Sequence, residues 1–140
     1  MSMSSELQDV QVTQTLAIVE QDITPKLKEP IAIIGEAPAS SDDMRHFVLL
    51  NADPFRSNRD WGHLEVEKTT GTVAHIHHLE AKGMAIERPK LVGRLAQVAL
   101  EACGVAAGEL HPHETELPED VLRAIGFVGV GSGLRFHVAA

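Results

Sequence analysis

Hydrophobic positions recur along this chain at two spacings, and the switches between them mark out its elements. From Glu6 to Leu27 the residues Val12, Leu16, Val19, Ile23 and Leu27 stand three or four apart, as on one face of a helix. Pro25 and Pro30 close that segment. Val10, Val12, Leu16 and Ile18 also fit a period of two, so a strand over residues 10–18 is the competing reading; the longer helical run favours the helix. Residues 31–34 form a short apolar run between Pro30 and Gly35, which reads as a buried strand. A turn-rich loop follows over residues 38–43, then a second strand over 46–50. Residues 51–62 read as a long polar loop that carries Arg56, Arg59 and Trp61.

The clearest local unit comes next. Over residues 63–68, Leu64 and Val66 alternate with His63, Glu65 and Glu67. Thr69, Thr70 and Gly71 make a turn, and residues 73–80 run back, which predicts a β-hairpin. Pro89 then opens a helix whose face is Leu91, Leu95, Val98 and Ala102, with Gly104 at its C-terminal cap. Residues 109–113 suggest a short strand. Pro118 starts a shorter helix through Val121, Leu122 and Ile125, which Gly126 ends. Residues 127–130 and 134–138 form a last pair of strands around Gly131, Ser132 and Gly133. That glycine-rich stretch precedes a strand rather than a helix, so it is a hairpin turn and not a phosphate loop.

The order is helix, about four strands, helix, strand, helix and two strands. Short turns join several of the strands, so the fold class is α+β, with a largely antiparallel mixed sheet flanked by about three helices. The chain has 140 residues, of which 44% are hydrophobic and 23% charged, a balance that suits one ordinary core. A single domain over residues 6–140 is expected, behind a loose polar tail at residues 1–5. The net charge of −8 repels phosphate backbones and anionic lipid, which sets aside general nucleic-acid and membrane-surface binding. Cys103 is the one cysteine, so no internal disulfide forms, and its surroundings in sequence suit an inert thiol. Residues 1–7 lack the apolar core of a signal peptide, and no apolar run reaches the length of a membrane span. Cytoplasmic localisation is the expectation.

Eight histidines are the chemical peculiarity, and five of them fall in two short stretches. His75 and His77, beside His78, lie two apart on a predicted strand, on one face and about 6.6 Å apart along it. Imidazoles so placed can share a divalent metal such as zinc, and His63 on the partner strand can approach the same site. His111 and His113 repeat the spacing, with Glu114 adjoining. Strand histidines also serve as polar cover or as cross-strand partners of Glu65 and Glu67. A third use is acid–base chemistry, for which imidazole suits neutral pH.

From Val73 onward the layout resembles the GNAT family of N-acetyltransferases, with a long central strand, a turn and helix, then a strand, a helix and two closing strands. The residues Ala124, Ile125, Gly126 and Phe127 are similar to the helix end and Leu-Gly-Phe that precede that family's sixth strand. Lys90, Leu91, Val92, Gly93, Arg94 and Leu95 fall where the family keeps Gln/Arg-x-x-Gly-x-Gly/Ala. The resemblance implies acetyl-CoA as cofactor, its pyrophosphate held near Lys90, Val92, Gly93 and Arg94, and a small-molecule amine as acceptor. Glu65, Glu67, His75 and His77 are then the candidates to take the amine proton. Three departures stand against the pattern: Lys90 replaces Gln or Arg, Leu95 replaces a small residue, and the chain has no tyrosine to act as general acid. The competing readings are a metal-binding protein or metalloenzyme built on His63, His75 and His77, and a non-enzymatic small-ligand or interaction module, dimeric through a strand edge.

Overall fold

The computed structural model describes residues 11–16, 32–38, 41–53, 55 and 59–139. In chain order the strands are β1 (Gln11–Leu16), β2 (Ala32–Ala37), β3 (Met44–Asn51), β4 (Asp60–Glu67) and β5 (Val73–Ala81). Helices α1 (Met84–Glu87) and α2 (Pro89–Ala102) follow, then β6 (Ala107–Leu110) and a 3-10 turn at Pro112–Glu114. Helix α3 (Glu119–Ile125) and strands β7 (Val128–Val130) and β8 (Gly133–His137) complete the set. The class is α+β. The strands form one sheet in the order β1-β2-β3-β4-β5-β6-β8-β7, and the β5–β6 pair runs parallel while the others run antiparallel. Among the described residues no helix is long and apolar enough to cross a membrane.

Sheet faces follow from alternation. On β3, Phe47 and Leu49 enter the main core with Leu64 and Val66 of β4, while Val48 and Leu50 join Ala37 in a small cluster of their own. Helix α2 lays Leu91, Val92, Leu95, Ala96, Ala99 and Leu100 onto the main core. Each large side chain so buried contributes about 1.5–3 kcal/mol. Ala102, expected on that face, is exposed; the buried stripe runs through Ala96 and Ala99 instead. Pro89 sits in the first turn, where its missing N–H has no helical partner to lose, and Gly104 follows the cap at φ 72°.

Three expectations need correction. The helix placed over residues 6–27 is replaced, at residues 11–16, by β1. Its backbone ladder runs from Gln11↔Glu36 to Leu16↔Ala32, with an irregularity between Val12 and Gln14. Val12, Thr13 and Thr15 are β-branched and favour the pleated conformation once a partner strand is offered. The rest of that expected helix, like the tail at residues 1–5, lies outside the described residues. The loop over residues 51–62 is also shorter than expected. β4 begins at Asp60, and Trp61 is a strand residue in the main core. Arg59 closes the loop onto Asn51: its Nε donates to the Asn51 carbonyl at 3.1 Å, and the Asn51 N–H donates to the Arg59 carbonyl at 2.7 Å. Arg56 lies outside the described residues. Finally, the strand over residues 109–113 ends at Leu110, because Pro112 starts a 3-10 turn.

One ion pair ties the sheet to α2. Arg45 donates from Nε and Nη2 to the two Glu36 carboxylate oxygens at 2.8 and 2.7 Å, and from Nη1 to the Ala102 carbonyl at 2.8 Å. Ala102 is the last residue of α2, so the guanidinium satisfies an end carbonyl that has no helical donor. The hydrogen bonds from Arg45 hold the Glu36 carboxyl below the usual glutamate value. A carboxyl depressed in the folded state adds stability above its unfolded pKa, and loses it as pH falls through the folded value. Glu36→Gln is therefore expected to lower stability by about 1 kcal/mol at neutral pH, since solvent screens the open side of the pair. The gap from the parent should close in acid. Urea unfolding at pH values on both sides of the carboxylate range checks this; a gap that persists in acid contradicts it.

Candidate functional site

The candidate site is built by one extra residue in β5. In the β4–β5 ladder Glu65 pairs with His78, but Val66 pairs with Ile76, so His77 is bulged out of register. Upstream of it Ala74 and Ile76 are buried, and downstream Leu79 and Ala81 are. The bulge turns His75, His77, His78 and Glu80 all to the side away from α2. A regular strand would drive His78 into the core. β4 presents His63, Glu65 and Glu67 to the same side, and β3 presents His46.

Two groups form on this face. The first surrounds an open hollow of about 350 Å³ lined by His46, His63, Glu65, His78 and Glu80. His46 is only 5% exposed, and its Nε2 lies 2.8 Å from Nδ1 of His63. Nε2 of His63 lies 2.7 Å from Asp60 Oδ1, and Lys82 Nζ is 3.3 Å from Asp60 Oδ2. Burial pushes the Asp60 carboxyl up, but His63 and Lys82 outweigh it and hold the group below the usual aspartate value. With Asp60 ionised, His63 presents its Nε2–H to that carboxylate, and its Nδ1 then accepts from His46 Nε2–H. The Asp60–His63 approach is a close charge contact on the rim of the hollow.

The second group lies where β5 and β6 part. The parallel ladder covers Val73↔Ala107, Ala74↔Gly108 and His75↔Glu109 only. Beyond it the 3-10 turn fills the gap, until Thr115 Oγ1 donates to the Leu79 carbonyl at 2.8 Å. The turn is locally encoded. His111 caps it, Pro112 occupies its first position, and Glu114 Oε1 accepts the His111 N–H at 2.8 Å. This brings Glu114 Oε2 to 2.7 Å from His75 Nε2, with the Glu114 side chain 9% exposed. Burial raises the Glu114 carboxyl, yet His75 and the His111 N–H bring it below its ordinary value. The His75 and His77 rings stand 4.1 Å apart between centroids, and His77 Nε2 lies 2.5 Å from Glu67 Oε1. His111 meets His75 edge-on at 5.5 Å and stacks on His113 at 5.8 Å.

The residues singled out from sequence thus separate. Glu65 faces the hollow, whereas Glu67, His75 and His77 belong to the second group. Of the metal set His63, His75 and His77, His63 lies against His46 and Asp60, while His75 and His77 share a group with Glu67. Lys90 and Arg94 are exposed on α2. Val92 is fully buried, and Gly93 backs onto the Ile125 carbonyl of α3. Cys103 is half-buried, and burial raises its thiol. Sequence reasoning missed His46, Asp60 and the junction of Glu114 with His75. His46 of β3 is linked to Asp60 through His63 of β4, and a pairing between two strands leaves no local trace. The His-Pro-x-Glu capping pattern at residues 111–114 was the one usable signal. No protein-family model matches the chain, and a search of curated proteins finds no match to it.

Proposed function

We propose that the chain is an acyltransferase-like protein that moves an acyl group from acetyl-CoA to an amine. The observation that carries this reading is the sheet order β5-β6-β8-β7, with the parallel pair β5–β6 parting after three residue pairs. The chain order here, central strand, helix, strand, helix and two closing strands, is the one the family resemblance implies. The Pro112–Glu114 turn and Thr115 occupy the space between the parting strands, so the layout of the strands, and not an open slot, supports the reading.

In this reading the hollow receives the acceptor. Glu65 and Glu80 attract an alkylammonium, and the imidazole of His78, which lines the same hollow, takes its proton. The freed amine nitrogen attacks the thioester carbonyl, the carbon–sulfur bond breaks, and CoA leaves as the thiol with a proton. Val92 and Gly93 lie inside α2, engaged in packing, so phosphate contact falls to the side chains of Lys90 and Arg94 rather than to backbone N–H groups.

Calorimetry with acetyl-CoA tests the reading, and absence of binding at millimolar cofactor overturns it. With primary amines as acceptors and thiol release as the signal, Glu65→Gln is expected to raise KM for the amine about tenfold while kcat changes less, as loss of one charge-assisted contact implies. An unchanged KM would remove Glu65 from the acceptor site.

A further inference from the structure

The second group of side chains serves no step of that reaction, and its geometry has its own logic. Two sets of metal-ligand type share His75: Glu67, His75 and His77, and His75, His111 and Glu114. Within each set the donor atoms lie within 4.8 Å of one another. We propose that His75, His111 and Glu114 form a binding site for one borderline divalent cation of the zinc type, at the point where β5 and β6 part.

Three observations favour this set. His75 Nε2 is a buried atom with no hydrogen-bond partner, although Glu114 Oε2 is 2.7 Å away. Two ligand-type atoms so close, with no hydrogen bond between them, suit a shared cation. A cation with bonds of about 2.0–2.1 Å in tetrahedral geometry would open that contact to about 3.3 Å, a shift that a half-exposed His75 permits. Second, Glu114 is nine-tenths buried and already oriented: its other oxygen accepts the His111 N–H at 2.8 Å. A ligand carboxylate fixed in this way by a hydrogen bond to its second oxygen is the usual supporting arrangement around a metal. Third, Glu67 and His77 satisfy each other at 2.5 Å, so they are not called on as ligands but add a carboxylate beside the ion. Imidazole nitrogen with carboxylate oxygen selects zinc, nickel or copper over magnesium and calcium, which take all-oxygen shells. Three protein ligands leave a position open to water or a ligand atom. Bound there, the cation would clamp β5 to the turn after β6.

The site stands apart from acyl transfer, and failure of acetyl-CoA binding leaves it untouched. The test uses the full chain, stripped with chelator and titrated with zinc by calorimetry, with cobalt as a spectroscopic probe of coordination. One equivalent bound at micromolar affinity or better is expected, with a rise in thermal midpoint. His75→Ala and His111→Ala should each weaken binding by about 100-fold or more, with unchanged circular dichroism, while His77→Ala and His78→Ala stay within a few-fold. Absence of saturable binding by the parent overturns the site. So does binding that survives His111→Ala but is lost in His77→Ala, which would move the ion to Glu67, His75 and His77.

Discussion

Phe127→Ala should lower the free energy of unfolding by about 4 kcal/mol, a large share of the roughly 5–15 kcal/mol that holds a domain of this size. Phe127 is 1% exposed and sits at the junction of α3, β7 and β8. Its ring meets Phe136 edge-on, with centroids 5.5 Å apart, so truncation removes an aromatic pair as well as buried area. The joint has little freedom to collapse. Gly126, at φ 130°, sets the entry to Phe127, and the Phe127 N–H donates to the Leu122 carbonyl at 3.0 Å, which fixes the backbone behind the ring. Urea unfolding measures the difference. A loss below about 2 kcal/mol would mean that the space closes on truncation, contrary to the packing described.

Gly93→Ala is expected to destabilise by about 2 kcal/mol, against the ordinary preference of a helix for alanine, which is worth about 1 kcal/mol the other way. A Cβ at residue 93 would stand 2.7 Å from the Ile125 carbonyl oxygen. That oxygen is backbone and cannot rotate aside. α2 and α3 would have to separate, and α3 is anchored at its end by Gly126, behind which the Phe136 ring lies 2.9 Å from where a Cβ would be. The same urea experiment decides it. A stabilised Gly93→Ala protein would show that the helices part at little cost. This is also why Gly93 was ambiguous in sequence: a glycine in a helix signals close approach of something, and the Ile125 carbonyl of α3 approaches it closely.

What was legible in the chain follows the range of the forces involved. The hairpin of β4 and β5 was readable because Leu64 and Val66 alternate with charged residues within a few positions and Gly71 marks the turn. Pro89, Gly104 and Gly126 bounded α2 and α3 because each acts through its own backbone. β1 was misread because Val12 and Leu16 satisfy both periods, and the decision belonged to β2, a partner distant in the chain. The bulge at His77 was invisible for a related reason. It is a property of the β4–β5 pairing and not of either strand alone. Without it, His75 and His77 could be placed on one face, but His78 and Glu80 could not. Glu114 reached His75 only through the 3-10 turn that Pro112 imposes, where a strand had been expected.

The three-pair seam between β5 and β6 also bears on how the molecule comes together. Strands β2 to β5 are successive antiparallel neighbours, so each contact on that side joins segments close in the chain. The segment from β6 to β8 likewise assembles around its own short connections. Joining the halves requires a parallel alignment, with the whole of α2 looped between, and the loop entropy is lost before three residue pairs begin to repay it. Topology therefore predicts two ribbons that form first and a short seam that closes after them, and the histidines and Glu114 sit where that seam ends.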